Sequence, residues 1–137
     1  MNISDTKKEY KSTATMVYSC QYHIIFTTKY RRKVLSDIIQ VRLKELIKEK
    51  QEDYGYEIIE LEIMYDHVHL LLDINPQYGV YKVIGNIKGY SSKVLRDEFP
   101  ELKKRLPTLW TRSKFISTVG SVSLEVVKKY IEDQKNK

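Results

Sequence analysis

Hydrophobic and polar positions alternate along this chain with two periods, and the switches between them mark out seven segments. From Val17 to Thr28 a run rich in Tyr, Ile, Phe and Thr predicts a first strand. Ser36 or Asp37 then caps a helix, with Gln40 three residues after Asp37 in the place a capping box uses. Ile39, Leu43, Leu46 and Ile47 form its buried stripe, and Gly55 closes it after Tyr54. At Ile59 the period changes to two: Ile59, Leu61 and Ile63 alternate with Glu60 and Glu62, a second strand. Tyr65-Asp66 turns the chain into a third, in which Val68, Leu70, Leu72 and Ile74 share one face and His67, His69, Leu71 and Asp73 the other. These two strands are predicted to form a hairpin. Asn75 to Gly79 is a turn, and Val80, Val83, Ile84, Ile87, Val94 and Leu95 give the next helix its apolar face. That helix carries Lys82, Lys88, Lys93 and Arg96 on its outer surface, Gly89 and Ser91-Ser92 allow a partner close approach, and Pro100 stops it. After a charged connector, Leu109-Trp110 and Phe115 to Val119 supply a fourth strand with Arg112 and Lys114 at its start and Gly120 at its end. Ser121 or Ser123 caps the last helix, whose stripe of Val122, Val126, Val127 and Ile131 runs to about Gln134.

The first six of these elements match a ferredoxin-like α+β arrangement (βαββαβ): an antiparallel sheet with two helices on one face, followed by a C-terminal helix over 121–137. Residues 1–137 form one domain, of which 1–16, polar and without periodicity, are expected to be a loosely held arm. With the helices covering the Val68, Leu70 and Leu72 side, the histidine side is expected to face solvent, a partner subunit or substrate.

Charge adds a partner class to this picture. Lys and Arg number 24 against 18 acidic residues, a net +6, and the excess is clustered at Lys29, Arg31, Arg32, Lys33 and again at Lys103, Lys104, Arg105. Such blocks favour a polyanion, most simply nucleic acid. No apolar run approaches the ~20 residues that cross a bilayer, and the polar start Met1-Asn2-Ile3-Ser4-Asp5 lacks the apolar region of a signal peptide. A cytoplasmic protein is expected. Cys20 is the single cysteine, so a bound metal takes His, carboxylate or amide donors.

Two of the three histidines are His67 and His69. Residues two apart on a strand are spaced roughly 7 Å and point the same way, so both imidazoles can reach one metal at about 2.1 Å; the same spacing also suits two hydrogen-bonded histidines on a half-exposed sheet. Tyr130 and Gln134, four apart, project from one side of the last helix. If that helix crosses the histidine face, the amide can complete a three-donor set with positions left for a phosphate oxygen and water, and Tyr130 becomes a nucleophile. Tyr130 also stands four after Val126 and three after Val127, where simple packing accounts for it.

Asp66-His67-Val68-His69-Leu70-Leu71, Tyr22-His23-Ile24-Ile25-Phe26 with Lys29-Tyr30-Arg31-Arg32, Leu109-Trp110-Thr111-Arg112-Ser113 with Phe115, and Val126-Val127-Lys128-Lys129-Tyr130-Ile131-Glu132-Asp133-Gln134 together resemble the HUH single-tyrosine (Y1) transposases of small insertion sequences that move as single-stranded DNA. The likeness spans roughly Tyr18 to Gln134. It implies that His67, His69 and Gln134 bind a divalent ion, Mg²⁺ or Mn²⁺. It implies that Tyr130 attacks a DNA phosphate, leaving a 5′-phosphotyrosine link and a free 3′-hydroxyl. It also implies a homodimer of a prokaryotic cell, with sheets joined edge to edge, the tyrosine helix acting in cis or in trans about a hinge at Gly120, and partners that are DNA strands with hairpin ends. Among the residues here, Lys29, Arg31, Arg32, Lys88 and Arg112 are the expected phosphate contacts, and Tyr78 an expected stacking partner for an unpaired base. The competing readings are a relaxase or replication initiator of the same class, a domesticated DNA-binding protein that cuts nothing, and an unrelated His-based metal hydrolase. In relaxases the tyrosine usually precedes the histidines, and initiators usually carry a lysine where Asp133 and Gln134 stand.

Overall fold

The computed structural model describes residues 10–119 and 124–137. Its centre is the hairpin of β4 (Tyr56–Ile63) and β5 (His67–Ile74), whose two strands are joined at Met64, with Met64 N–H donating to the His67 carbonyl at 2.9 Å. β3 (Gln21–Thr27) lies on the other side of β5, and β6 (Phe115–Thr118) pairs with β3, all antiparallel. The order β4-β5-β3-β6, with α1 (Asp37–Glu49) and α3 (Val80–Glu98) as the crossovers, is the ferredoxin-like α+β fold expected from the sequence.

One face of the sheet meets both helices. Ile24 and Phe26 of β3 and Val68, Leu70, Leu72 and Ile74 of β5 pack against Ile39, Leu43, Leu46 and Ile47 of α1 and Val83, Ile84, Ile87 and Leu95 of α3. Each fully buried aliphatic side chain contributes roughly 1.5–3 kcal/mol of transfer free energy, so the period-two and period-3.6 stripes in the sequence specify this layer directly. Trp110 closes one end with its ring edge-on to Phe26, centroids 4.7 Å apart. Gly55, at φ 78, ends the helical stretch Gln51–Tyr54 (α2) in the left-handed region where a side chain is unfavourable.

Several boundaries differ from expectation, each for a local reason. The run Val17 to Thr28 is two elements: β2 (Val17–Tyr18) folds back on β1 (Lys11–Ser12), inside the segment expected to be a loose arm. The ladder to β5 begins only at Gln21, because the Cys20 N–H is taken by the Asp73 carboxylate at 3.1 Å. β4 starts at Tyr56, and Ile59 does not alternate with Leu61 and Ile63. A bulge between Ile58 and Glu60 makes it the extra residue, so Ile58, Leu61 and Ile63 reach the core and Glu60 and Glu62 lie opposite Leu71 and His69. Gln40 does not close a capping box: its amide donates to the Leu35 carbonyl at 2.8 Å, and the N-cap Ser36 makes no side-chain cap bond. The charged connector after Pro100 contains a short helix, α4 (Glu101–Arg105), which carries the second basic block. Ser91 is not a point of approach for a partner, since it is buried and accepts a hydrogen bond from the Trp110 indole at 3.1 Å. Trp110 itself makes an isolated bridge with Thr28 and is not part of β6. α5 (Leu124–Asp133) is the last helix, and Gln134–Asn136 continue as a 3-10 turn. The arm over 1–9, the Gly120 hinge, the Ser121 and Ser123 caps and Val122 fall outside the described residues.

Candidate active site

β5 carries His67 and His69 on the sheet face turned away from α1 and α3. That face is covered. α5 lays Val127, Tyr130 and Ile131 against Ile25 and Phe115, and Ile25 is the cross-strand partner of His69. The expectation of an open histidine face is therefore corrected: the terminal helix has an apolar side that must be buried, and the exposed sheet face beside Ile25 is where it buries it. His69 is 8% exposed, and its Nε2 is buried with no hydrogen-bond partner. Burial, first, and the neighbouring His23, second, push its pKa down from the usual 6.5 to about 4. At neutral pH the ring is uncharged, with one nitrogen carrying a lone pair. His23, the third histidine, is fully buried, with its ring centroid 5.6 Å from that of His69.

His67 is oriented by its neighbour in sequence. The Asp66 carboxylate meets His67 Nδ1 at 2.8 Å, which turns Nε2 outward in the manner of carboxylate-supported metal-binding histidines. The other Asp66 oxygen accepts from Arg31 Nε at 2.9 Å. Arg31 also reaches α5, with Nη1 3.0 Å from Glu132 and 3.5 Å from the Ile131 carbonyl. Tyr30 and Arg31 both sit at positive φ, 57 and 52, a conformation costing of order 1 kcal/mol or more for each non-glycine residue. The segment is held there by Tyr30 N–H on the Lys137 carbonyl at 3.0 Å and by the Arg31 ion pairs.

Tyr130 and Gln134 stand together, as their spacing predicts, and a residue not singled out from the sequence joins them. Ser113 Oγ donates to the Gln134 amide oxygen at 2.7 Å and lies 3.3 Å from the Tyr130 hydroxyl. Either oxygen can donate in the bond between Ser113 and Tyr130. Gln134 is only 3% exposed. Burial raises the Tyr130 pKa above its usual 10.0, and the Ser113 contact partly offsets this; the phenol is protonated at neutral pH. Its ring also packs on Phe115, centroids 5.4 Å apart, so the packed and the chemical placements of Tyr130 coexist.

The expected phosphate contacts divide. Arg32 and Arg112 are exposed, and Lys29 is partly so, with its ammonium over the Tyr30 ring. Arg31 is tied into the Asp66 and Glu132 pairs with 18% of its side chain exposed. Lys88 does not lie on the outer surface. Its Nζ turns inward to the carbonyls of Thr111 at 2.7 Å, Ser113 at 3.3 Å and Arg112 at 3.5 Å, and burial with the nearby Lys114 lowers its pKa to about 8. Tyr78 keeps 43% exposure but rests its ring on Gly55, where an added Cβ would meet ring carbons at 2.4 Å. Ser113 and Asp66 left only a weak trace in the sequence, their position beside the Trp110 and His67 motifs.

Among the described residues no three His, Cys, Asp or Glu side chains are gathered to hold a metal ion. A cation held by His67 and His69 would need a third protein donor of another kind, such as an amide. The donors present suit that: an orphaned His69 Nε2, a His67 ring fixed through Nδ1, and the buried Gln134 oxygen, with a second lone pair beyond the one Ser113 uses. Among the described residues no helix is long and apolar enough to cross a membrane.

Comparison with known proteins agrees with this arrangement. The family model described as "Transposase IS200 like" matches residues 16–134. The ISDra2 transposase TnpA of Deinococcus radiodurans is 36% identical over 131 residues, covering 94% of each chain. The transposase for insertion sequence element IS200 of Salmonella typhimurium is 32% identical over 130 residues, 91% of this chain and 86% of its own. A crystal structure described as a transposase from Deinococcus radiodurans superposes with a TM-score of 0.82 at 35% identity, over 90% of this chain and 97% of that one. The fold, though not the sequence, extends to a REP-associated tyrosine transposase bound to a REP hairpin, TM-score 0.57 at 13% identity. A match over nearly the whole chain, in a protein whose one histidine-strand face receives a tyrosine helix, places it in the IS200-like family of single-tyrosine (Y1) transposases, DNA-processing enzymes.

Proposed function

We propose that this transposase cleaves and rejoins single-stranded DNA at the ends of an insertion sequence. Tyr130 is the nucleophile. Its oxygen attacks a backbone phosphate, the bond to the 3′-oxygen breaks, and the products are a 5′-phosphotyrosine link and a free 3′-hydroxyl. The bond energy stored in the link makes the step reversible, so strands are exchanged and rejoined without ATP. The observation that supports this reading is the docking of α5 on Ile25, the cross-strand neighbour of His69, with Tyr130 packed there and Gln134 joined to it through Ser113.

His67, His69 and Gln134 are the residues to hold Mg²⁺ or Mn²⁺. Such an ion supplies charge withdrawal from the phosphate, which a phenol of raised pKa needs in order to attack. The chain's own contribution is to keep His69 neutral by burial, to fix the His67 ring through Asp66, and to hold the phenol against Ser113 until substrate arrives. Lys29, Arg32 and Arg112 position the backbone through phosphates, and the exposed face of the Tyr78 ring stacks an unpaired base. Arg31 and Lys88 contribute from within, by holding α5 and the 111–113 loop. End hairpins are the recognised feature, a reading supported by the REP hairpin in the fold relative's structure. Two copies join their sheets edge to edge, a pairing in which α5 serves its own histidine strand, as docked here, or is exchanged so that active sites are shared between subunits.

The test is direct. The protein is incubated with single-stranded DNA carrying the element's end hairpin and Mg²⁺ or Mn²⁺, and a covalent protein–DNA band is sought on a denaturing gel. The band is expected with wild type and absent in Tyr130→Phe or with chelator. A shifted but never covalent DNA complex would mark a binding module, and cleavage that survives Tyr130→Phe would mark a metal hydrolase.

A further inference from the structure

The loop between Trp110 and β6 is held at both ends by one face of α3. At its start the Trp110 indole donates to Ser91 Oγ, and at its tip Lys88 Nζ gathers the carbonyls of residues 111, 112 and 113. Lys88 and Ser91 are three apart on that helix, and Ser91 Oγ donates back to the Lys88 carbonyl at 3.2 Å. A half-buried lysine with no carboxylate partner among the described residues, its ammonium turned to three carbonyls, does not act as a simple surface charge. It is a clamp. What the clamp presents is the Ser113 hydroxyl, in contact with the Gln134 oxygen and the Tyr130 phenol. Helix α5 does not need this contact for docking, since Val127, Tyr130 and Ile131 pack on Ile25 and Phe115, and Arg31 pairs with Glu132. The bond therefore acts locally, on which way the amide and the phenol point.

We propose that Ser113 is a functional residue of the Tyr130 site, fixing the Gln134 amide oxygen as a metal donor and aligning the Tyr130 hydroxyl, and that Lys88 is the positioning residue that holds Ser113 in place. The proposal rests on the reading above of Gln134 as a ligand and Tyr130 as the nucleophile. An amide side chain has a donor end and an acceptor end of nearly equal size. The Ser113 O–H selects the acceptor end and pins it, leaving that oxygen's second lone pair for a cation. Partners that orient a ligand from behind typically contribute 10–100-fold to metal affinity or activity.

The experiment uses the full chain without DNA, titrated with Mn²⁺ and followed by the electron paramagnetic resonance signal of the free ion, for wild type, Ser113→Ala, Ser113→Thr and Lys88→Met. Ser113→Ala is expected to weaken Mn²⁺ binding about tenfold or more. Ser113→Thr keeps the hydroxyl and is expected to stay within about threefold of wild type, and Lys88→Met to move in the same direction as Ser113→Ala. Ser113 is exposed, so its alanine variant is expected to melt within a few degrees of wild type, and it decides the question even if Lys88→Met does not fold. The Mn²⁺ concentration giving half-maximal covalent adduct is expected to rise by the same factor. Mn²⁺ binding by Ser113→Ala within twofold of wild type overturns the proposal, as does a wild type that binds no Mn²⁺. A folded Lys88→Met with unchanged affinity removes the clamp. If wild type binds Mn²⁺ but forms no adduct, or Tyr130→Phe still forms it, the functional reading fails instead, and the binding arms still judge Ser113.

Discussion

Arg31 lies in a basic block suited to phosphate, yet its guanidinium joins the histidine strand to the tyrosine helix, and Arg31→Met separates these roles. The pair with Asp66 is largely enclosed, with side-chain exposures of 18% and 11%. At a charge separation near 4 Å and an effective dielectric of about 20 the attraction is about 4 kcal/mol, of which desolvation of the two ions cancels a large part. Removing Arg31 also leaves the Asp66 carboxylate with only His67 to satisfy it, a loss of about 1–3 kcal/mol. The second pair involves Glu132, 60% exposed, and contributes at most about 1 kcal/mol. The net expected cost is about 2–4 kcal/mol, or roughly 10 °C in the melting midpoint for a domain of this size. Methionine keeps the long stem and imposes no new demand at the positive φ of residue 31, so the loss is assignable to the guanidinium. Urea unfolding of wild type, Arg31→Met, Asp66→Asn and the double variant gives the coupling energy, expected at 1 kcal/mol or more. The slope of log affinity for single-stranded DNA against log salt is expected to stay unchanged, because no phosphate contact is lost. A stability loss below about 0.5 kcal/mol, with a salt slope lower by about 0.7, would refute the reasoning and return Arg31 to the phosphate contacts.

Other expectations follow from the same contacts. The metal-free protein, kept in chelator, is expected to lose stability as pH falls from about 6.5 to about 4. His69 binds its proton more weakly folded than unfolded, so the unfolded state gains protons first. The depression corresponds to at most about 3 kcal/mol, and stepped-pH urea melts of wild type and His69→Gln should differ by most of that loss. Arg112→Ala is expected to weaken binding of single-stranded DNA equally for all sequences and to reduce the salt slope by about 0.7, measured by fluorescence anisotropy at several salt concentrations. Gly55→Ala is expected to destabilise by about 2 kcal/mol in urea melts, combining the positive φ with the Tyr78 ring at 2.4 Å. Adding Tyr78→Ala should recover only the steric part.

The amino-acid sequence by itself determined the helical stripes and most of the strands of the sheet, because burial of Leu70, Leu72, Ile84 and Leu43 is written as periods of two and 3.6. It also put Tyr130 and Gln134 one turn apart on one side, a matter of helical pitch, although Gln134 stands in the 3-10 turn that continues α5. Local competition decided where the pattern misled. The Asp73 carboxylate captured the Cys20 N–H and delayed the start of β3 to Gln21, and the bulge at Ile59 shifted one strand's alternation. Only the tertiary structure decided which charges face inward. Lys88 and Arg31 look like surface cations in sequence, where a basic residue carries no mark of what lies opposite it. Folding set three carbonyls before the one and two carboxylates before the other. Ser113 shows the same limit: a hydroxyl gains its role from the groups that long-range packing brings within 3.3 Å, and those groups lie 17 and 21 residues away along the chain.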